Sequence, residues 1–145
     1  MEIYTIGFAK KSAAEFFGIL QRAGIRRVID VRLSNTSQLA GFTKRDDLEY
    51  FLGQICQAEY RHQPELSPSK EIFDAYKKQE IPWEEYASRF VALLAQRQVE
   101  KTVDRRLLEV PAVLLCSEPT AEHCHRRLVA EYLARQWADA RIVHL

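Results

Sequence analysis

In the first part of the chain, segments with the apolar pattern of a strand alternate with a segment that has the apolar pattern of a helix. Residues 2–7 (EIYTIG) are β-branched and aromatic and end in glycine, which predicts a short buried strand. Ser12 and Glu15 have the spacing of a capping box, and the apolar stripe behind them predicts a helix that stops at Gly24. IRRVIDVR at 25–32 predicts a second strand. Strand, helix and strand in this order predict a βαβ unit with parallel strands.

The rest of the chain repeats this alternation. Three further segments have the composition of strands: EYRH at 59–62, VPAVLLC at 110–116 and ARIVHL at 140–145. The pattern predicts a long helix over about residues 84–108, and a later helix with Thr120 as its N-cap. Polar residues 33–43 predict a loop whose role the sequence leaves open. Together these elements predict one α/β domain over 1–145, with a mostly parallel sheet and helices on both faces.

Composition narrows the class of protein. The 145 residues are 47% hydrophobic and 28% charged, as in soluble globular domains. Twenty-one basic against twenty acidic residues exclude a broad surface that coats nucleic acid, but not a local basic patch. The chain lacks an apolar run near the ~20 residues of a membrane span, and its first residues lack the layout of a signal peptide. Its three cysteines suit a reducing compartment, so we expect a cytoplasmic protein with no membrane partner.

Polar residues follow three of the predicted strands. Open α/β sheets bind ligands beyond the carboxyl ends of their strands. The residues at those ends are Thr5 and Gly7, then Asp30 and Arg32, and finally Cys116 and Glu118. Cys124, His125 and Arg126 follow in the next predicted helix, close to where the late strand ends. The sequence therefore predicts a site at this edge of the sheet.

The cysteine-rich part of this site has four interpretations. A thiolate at Cys116 or Cys124, activated by His125 and the helix dipole, would be a nucleophile. Helix-terminal amides with Arg32 and Arg126 would instead hold a phosphate or carboxylate. In a metal site the ligands would be Cys116, Cys124, His125 and Glu118, although C-x7-C-H is not a recognised zinc spacing, so no metal ligand is assigned. In the fourth interpretation the cysteines pack as small buried hydrophobic residues.

Asp30 has two interpretations of its own. A carboxylate at the end of a buried strand costs free energy unless it has a partner, which favours a functional role. Arg32 is the obvious partner, so a purely structural ion pair is the rival interpretation.

Five motifs occur in an order and spacing that resemble the domain-of-unknown-function 488 family: YTIG, IDVR, LLCSE, CHRRL and the final IVHL. The resemblance runs from Ile3 to Leu145, and the Cys-x-Glu and Cys-His-Arg pair is its most specific part. It implies a Rossmann-like three-layer fold, but no established reaction and no particular cofactor. The signature positions that it implies are Asp30, Arg32, Cys116, Glu118, Cys124, His125 and Arg126.

The chain departs from the family pattern at two places. Phe8 and Ala9 stand where the family usually has His-Ser, and Ser67-Pro68 stand where glycines commonly follow a leucine. If the missing histidine and serine take part in a reaction, this chain has altered or lost that reaction. If they only shape the first loop, the cluster of Cys, Glu, His and Arg can still work.

The leading hypothesis is a cytosolic enzyme that acts on an anionic, nucleotide-like or nucleic-acid substrate. The residues assigned to catalysis are Asp30, Cys116, Glu118, Cys124 and His125. Those assigned to substrate binding are Thr5, Gly7, Arg32 and Arg126. The arginines would hold the anion, a carboxylate would act as acid or base, and the histidine would orient or relay a proton. The alternatives are a non-catalytic binding module for the same ligands and a metal protein. The cofactor and any oligomeric partner stay open.

Overall fold

Five parallel strands form one sheet in the described residues. They are β1 (Glu2–Gly7), β2 (Arg27–Asp30), β3 (Glu59–His62), β4 (Ala112–Cys116) and β5 (Arg141–His144). Their order across the sheet is β3-β2-β4-β1-β5, and all neighbouring pairs are parallel. The structure is a computed structural model that describes residues 1–36 and 41–145. Residues 37–40 of the predicted 33–43 loop therefore lie outside the described residues.

Helices connect the strands. They are α1 (Ala13–Arg22), α2 (Arg45–Phe51), α3 (Lys70–Lys77), α4 (Trp83–Arg97), α5 (Val99–Thr102) and α6 (His125–Gln136). A π-helical turn at Leu52–Cys56 follows α2, and 3₁₀ turns occur at Gly41–Thr43, Pro64–Leu66 and Arg105–Leu108. Over residues 1–36 and 41–145, the structure contains no helix that combines the length and the apolar character needed to cross a bilayer.

Buried apolar side chains form two clusters, one on each face of the sheet. The first cluster joins the strands to α1 and α2, and includes Ile6, Val28, Phe16 and Leu48. The second joins the strands to α4 and α6, and includes Ile3, Leu114, Phe90 and Val129. Alternate residues of each strand supply the two faces, as the period of a strand requires. The predicted three-layer α/β fold is therefore confirmed.

Local signals place α1 as expected, whereas two helix limits differ from the prediction. Ser12 and Glu15 form the capping box, and Gly24 has a φ of +69°. The predicted helix over 84–108 ends instead at Arg97, because Gln98 takes a left-handed conformation with a φ of 52°. Val99, just beyond the break, is still buried, so the apolar spacing continues although the helix does not.

The predicted start of the last long helix is also wrong. The helix α6 begins at His125, with Cys124 and not Thr120 at the N-cap position. Thr120 is exposed, and the first buried side chain after the end of β4 belongs to Cys124. Residues 117–124 therefore form the connection between β4 and the apolar face of α6.

The chain leaves β1 and β4 in opposite directions. From β1 it runs through α1 to β2 and passes over β4, whereas from β4 it runs through α6 to β5 and passes over β1. The strand order therefore reverses between these two neighbouring strands. Their last residues, Gly7 and Cys116, are register partners. Open α/β sheets bind ligands at such a reversal, beyond the carboxyl ends of the strands.

Candidate functional site

Main-chain hydrogen bonds join the segments that follow β1 and β4. The amide of Phe8 donates to the Cys116 carbonyl at 3.3 Å, and the amide of Ala9 donates to the Ser117 carbonyl at 2.8 Å. A Cβ atom at Gly7 would lie 1.5 Å from the carbonyl oxygen of Glu118, so only glycine permits this approach. Main chain thus fills the space between β1 and β4, and the open space lies on the other side of β4, toward β2.

Arg126, from the first turn of α6, holds the connection after β4 in place. Its side chain is 1% exposed, Nη1 donates to the Glu118 carbonyl at 2.7 Å, and Nε donates to Thr5 Oγ1 at 3.3 Å. Thr5 Oγ1 also lies 2.6 Å from Nδ1 of His144 on β5. Arg126 therefore links β1, β5 and the connection after β4.

Asp30 and Arg32 form a buried ion pair at the end of β2. Arg32 donates from Nε to Oδ1 and from Nη2 to Oδ2 of Asp30, both at 2.9 Å, and its backbone amide donates to Oδ1 at 3.0 Å. The hydroxyl of Tyr60, on β3, donates to Oδ2 at 2.5 Å. Burial, followed by the hydrogen bond to Asp30, raises the pKa of Tyr60 above its usual range, so the hydroxyl keeps its proton. The carboxylate is thereby enclosed by donors.

One nitrogen of Arg32 takes no part in this network. Arg32 is 3% exposed, yet its Nη1 has no hydrogen-bond partner in the described part of the chain. The guanidinium also lies over the ring of Phe8, 5.5 Å from the ring centroid. Buried donors are nearly always paired, so an unpaired guanidinium nitrogen calls for an acceptor.

Arg32 faces a pocket between the segments after β2 and β4, which we call the β2–β4 pocket. The pocket has a volume of about 150 Å³ and is lined by 32–34, Phe73, Cys116, Ser117 and His125. A smaller pocket of about 20 Å³ shares Phe73, Cys116, Ser117 and His125 with it. The smaller pocket also contacts Glu118 and Cys124, and has room for about one water molecule.

Two thiols and an imidazole meet beside the two pockets, and two of the three groups, Cys116 and His125, line the β2–β4 pocket. Among the described residues, the donor atoms of Cys116, Cys124 and His125 all lie within 4.8 Å of one another, and all three side chains are buried. Cys116 Sγ lies 3.5 Å from Nδ1 and 3.7 Å from Nε2 of His125. The ring nitrogen Nε2 lies 2.6 Å from the carbonyl oxygen of Val31. Because a carbonyl only accepts, Nε2 carries the proton and Nδ1 is the free nitrogen of the neutral ring.

The surroundings shift the pKa values of these three groups in different directions. The hydrogen bond from Cys124 lowers the pKa of Cys116, with further help from the Ser117 amide and the charge of Arg126. The same pairing, together with burial, raises the pKa of Cys124. Burial lowers the pKa of His125 and favours the neutral imidazole. Cys116 is therefore the more acidic thiol of the cluster, Cys124 is the thiol donor, and His125 is a neutral base.

The structure divides the predicted site residues into three groups. Cys116, Cys124 and His125 meet, and Arg32 shares the β2–β4 pocket with the first and third of them. Asp30 lies behind Arg32 and holds it. Thr5, Gly7 and Arg126 lie on the β1 side of β4, where they fix the connection after that strand.

Glu118 is placed differently from the other predicted residues. Its backbone carbonyl accepts from Arg126, whereas its carboxylate lies 3.4 Å from the ammonium group of Lys77 on α3. Both side chains of this pair are substantially exposed. The carboxylate thus lies at the outer edge of the smaller pocket, and no acceptor on Glu118 faces Arg32 in the β2–β4 pocket.

Two further residues contact the site without a clear functional signal in the sequence. Tyr60 pairs with Asp30 on a neighbouring strand, and one sequence does not show which strands pair. Phe73 lines both pockets and lies in the apolar pattern of α3. For Tyr60, the only sequence feature that could have indicated a role was a hydroxyl group within a predicted strand. For Phe73, the sequence contains no such feature.

The fold and the site define a parallel α/β protein with a buried arginine and a thiol–imidazole cluster beyond the carboxyl ends of β2 and β4. The chain belongs to the family described as Domain of unknown function DUF488, whose model matches residues 12–133. The matched range contains the IDVR, LLCSE and CHRRL motifs, so the family resemblance is confirmed. No curated protein and no solved structure matches the chain.

Proposed function

We propose that this protein is an enzyme that acts on an anionic, nucleotide-like substrate, whose anionic group binds in the β2–β4 pocket beside Cys116 and His125. The observation that carries the proposal is the unpaired Nη1 of Arg32. A buried donor without a partner costs about 1–3 kcal/mol, and more when the group is charged. An oxyanion in the pocket would remove that cost.

Arg32 is also held ready for such a ligand. Asp30 binds Nε and Nη2 at 2.9 Å, so the guanidinium plane is set before a ligand arrives. The free-energy cost of ordering this side chain on ligand binding is therefore small. Its charge-assisted hydrogen bond to Nη1 forms in a buried setting, where such bonds are strongest.

The size of the pocket limits what enters it. A volume of about 150 Å³ is below the roughly 300–1,000 Å³ of pockets that enclose whole ligands. A phosphate or carboxylate group fits, whereas the rest of the substrate stays outside.

Aromatic rings near the pocket support a substrate with a planar part. Tyr76 stacks on Tyr86 with ring centroids 4.6 Å apart, and Trp83 stacks on His123 at 4.9 Å. Tyr76, Tyr86 and His123 line the smaller pocket, which shares Phe73 with the β2–β4 pocket. Aromatic faces of this kind bind nucleobases by stacking. Together with a bound phosphate, they favour a nucleotide or the phosphorylated end of a nucleic acid.

Reactive groups beside the anion favour an enzyme over a binding module. Cys116 and His125 both line the β2–β4 pocket, as Arg32 does. The neutral imidazole of His125 can take a proton, and Cys116 presents a sulfur to the atom next to the anionic group. A module that only binds would need neither group.

Turnover of a defined substrate panel tests this proposal. Nucleoside mono-, di- and triphosphates and 5′-phosphorylated oligonucleotides would be incubated with the protein, and the products followed by chromatography and mass spectrometry. We expect turnover of at least one phosphorylated compound, with a loss of roughly tenfold or more in kcat/KM for Arg32→Lys. Arg105→Lys is the matched control, because Arg105 pairs with Asp139 at the opposite end of the sheet.

Two results would count against the proposal. If compounds bind in a way that depends on Arg32 but none is turned over, the protein is a non-catalytic binding module and not an enzyme. Binding and turnover that are the same in Arg32→Lys and wild type would remove the assigned pocket altogether.

A further inference from the structure

Cys116, Cys124 and His125 bring two thiols and an imidazole, the donor types that zinc prefers, into one buried cluster. Cys116 Sγ lies 3.5 Å from Nδ1 and 3.7 Å from Nε2 of His125, so a rotation of these side chains would bring the sulfur and Nδ1 onto one metal ion. In the described part of the chain, this is the only group of three such donors found close together, and all lie within 4.8 Å of one another.

Surrounding contacts leave each donor free to bind a metal. The ring of His125 is oriented by the 2.6 Å hydrogen bond from Nε2 to Val31, which leaves Nδ1 for coordination. Histidine ligands of metals are usually held in this way by a carbonyl or carboxylate. Cys124 occupies the N-cap position of α6 but makes no side-chain capping bond, so its sulfur has no structural task at the helix terminus.

Charge balance favours a divalent cation in this cluster. Two thiolates and a neutral imidazole around Zn²⁺ have no net charge, and burial of a neutral centre is far less costly than burial of unpaired ions. Sulfur ligands also favour zinc over magnesium or calcium, which prefer oxygen.

We infer that Cys116, Cys124 and His125 bind Zn²⁺, with the fourth coordination position open to the β2–β4 pocket. Cys116 and His125 line that pocket together with Arg32. Three protein ligands and one open position are the composition of catalytic zinc sites. The inference rests on the proposed function for the role of the metal. With zinc bound, Cys116 and His125 would be its ligands in place of reacting sulfur and base, and the metal would bind a water molecule or the substrate's anionic group. Zinc binding itself does not depend on that role.

Metal titration of three variants tests the ligand set. Reduced protein, freed of metal by a chelator, would be titrated with Zn²⁺ against a chromophoric competitor, and with Co²⁺ to record thiolate–cobalt absorption. We expect about one Zn²⁺ per chain in wild type and in Cys56→Ser, and an affinity lower by roughly 100-fold or more in Cys116→Ser and Cys124→Ser. Cys56 is a suitable control because it is buried in the cluster on the opposite face of the sheet.

A second measurement uses the wild-type chain alone, so that a folding defect in a variant does not decide the outcome. Bound zinc should protect Cys116 and Cys124 from iodoacetamide and leave Cys56 unchanged, as read from alkylated peptides by mass spectrometry. Absence of stoichiometric zinc, or equal protection of all three cysteines, would overturn the inference.

Phosphate binding to the metal-free protein separates this inference from the proposed function. If phosphate binds the metal-free wild type and not Arg32→Lys, but zinc does not bind, only the metal site is wrong. If zinc binds and phosphate does not bind with or without zinc, the anion pocket is wrong and the metal site stands.

Discussion

The guanidinium of Arg32 donates two hydrogen bonds to the carboxylate of Asp30, each with an N···O distance of 2.9 Å. The side chain of Arg32 is 3% exposed and that of Asp30 is 0% exposed. This geometry uses Nε and Nη2 and leaves Nη1 without a hydrogen-bond partner among the described residues. The ion pair neutralises a buried carboxylate, and in the proposed function it also orients the cation toward a ligand.

Removal of the arginine charge should destabilise the fold. In Arg32→Gln the Asp30 carboxylate keeps its charge and loses its cation, which costs about 3–5 kcal/mol for a buried pair. Arg32→Lys keeps a cation and should cost less, while the double variant Asp30→Asn, Arg32→Gln should recover part of the loss. Urea unfolding followed by circular dichroism measures these differences. Equal free energies of unfolding for Arg32→Gln and wild type would contradict the assignment.

The hydroxyl of Tyr60 should contribute measurably to stability. Tyr60→Phe removes a buried donor to Asp30 and an acceptor for the side chain of Asn35, and we expect a loss of about 1–3 kcal/mol. Tyr132→Phe is the matched control, because its hydroxyl donates to Glu100 in a partly exposed position and should matter less. The two variants would be compared by urea unfolding. A larger loss for Tyr132→Phe would show that the buried network is not stabilising.

Gly7 should tolerate no side chain. In Gly7→Ala the new methyl group would meet the Glu118 carbonyl at 1.5 Å, and the connection after β4 would have to move. We expect a loss of roughly 2–4 kcal/mol in the free energy of unfolding. A methyl group at Gly53 would enter open space, so Gly53→Ala should be neutral or stabilising by up to about 1 kcal/mol. A neutral Gly7→Ala variant would mean that β1 and β4 do not approach as described.

His144 should make stability depend on pH. Burial, and then the charge of Arg126, lowers the pKa of His144 in the folded protein. The unfolded chain therefore binds this proton more readily, so the contribution of His144 to stability is present above about pH 6.5 and is lost as the pH falls. His144→Asn keeps an acceptor for Thr5 but does not titrate there. Its free energy of unfolding should fall less between pH 8 and about pH 5.5 than that of wild type. An equal fall in both proteins would exclude this role of His144.

Elements with local causes were predictable from the sequence. The capping box of Ser12 and Glu15 and the left-handed Gly24 depend on neighbours within a few residues, so their patterns predicted α1 correctly. The strands were predictable because their buried apolar residues stand in short runs between polar turns. The end of α4 was not predictable, because Val99 is buried beyond the break and the apolar spacing of the sequence continues through it.

The location of the site was also predictable, but its internal geometry was not. Parallel strands bring their carboxyl ends to one edge, which is why Cys116 and Arg32 could be expected near each other. The meeting of Cys116 and Cys124 depends on the connection over 117–124, and distant residues of β1 shape that connection. The unpaired nitrogen of Arg32 depends on which two nitrogens Asp30 occupies, and no sequence pattern contains that information.

Alkylation of Cys116 by two reagents of different charge tests the anion pocket most directly. Iodoacetate and iodoacetamide would be applied to metal-free, reduced protein, and their rate constants at Cys116 compared by peptide mass spectrometry. The ratio of the two rate constants cancels the thiolate fraction, and free cysteine gives the reference ratio. If Arg32 attracts the carboxylate, the ratio at Cys116 should exceed the reference by about tenfold, fall to it in Arg32→Lys, and stay raised in Arg105→Lys. Inorganic phosphate should abolish the preference. A ratio equal to that of free cysteine, unchanged by Arg32→Lys and by phosphate, would contradict the proposal that Arg32 presents an anion site beside Cys116.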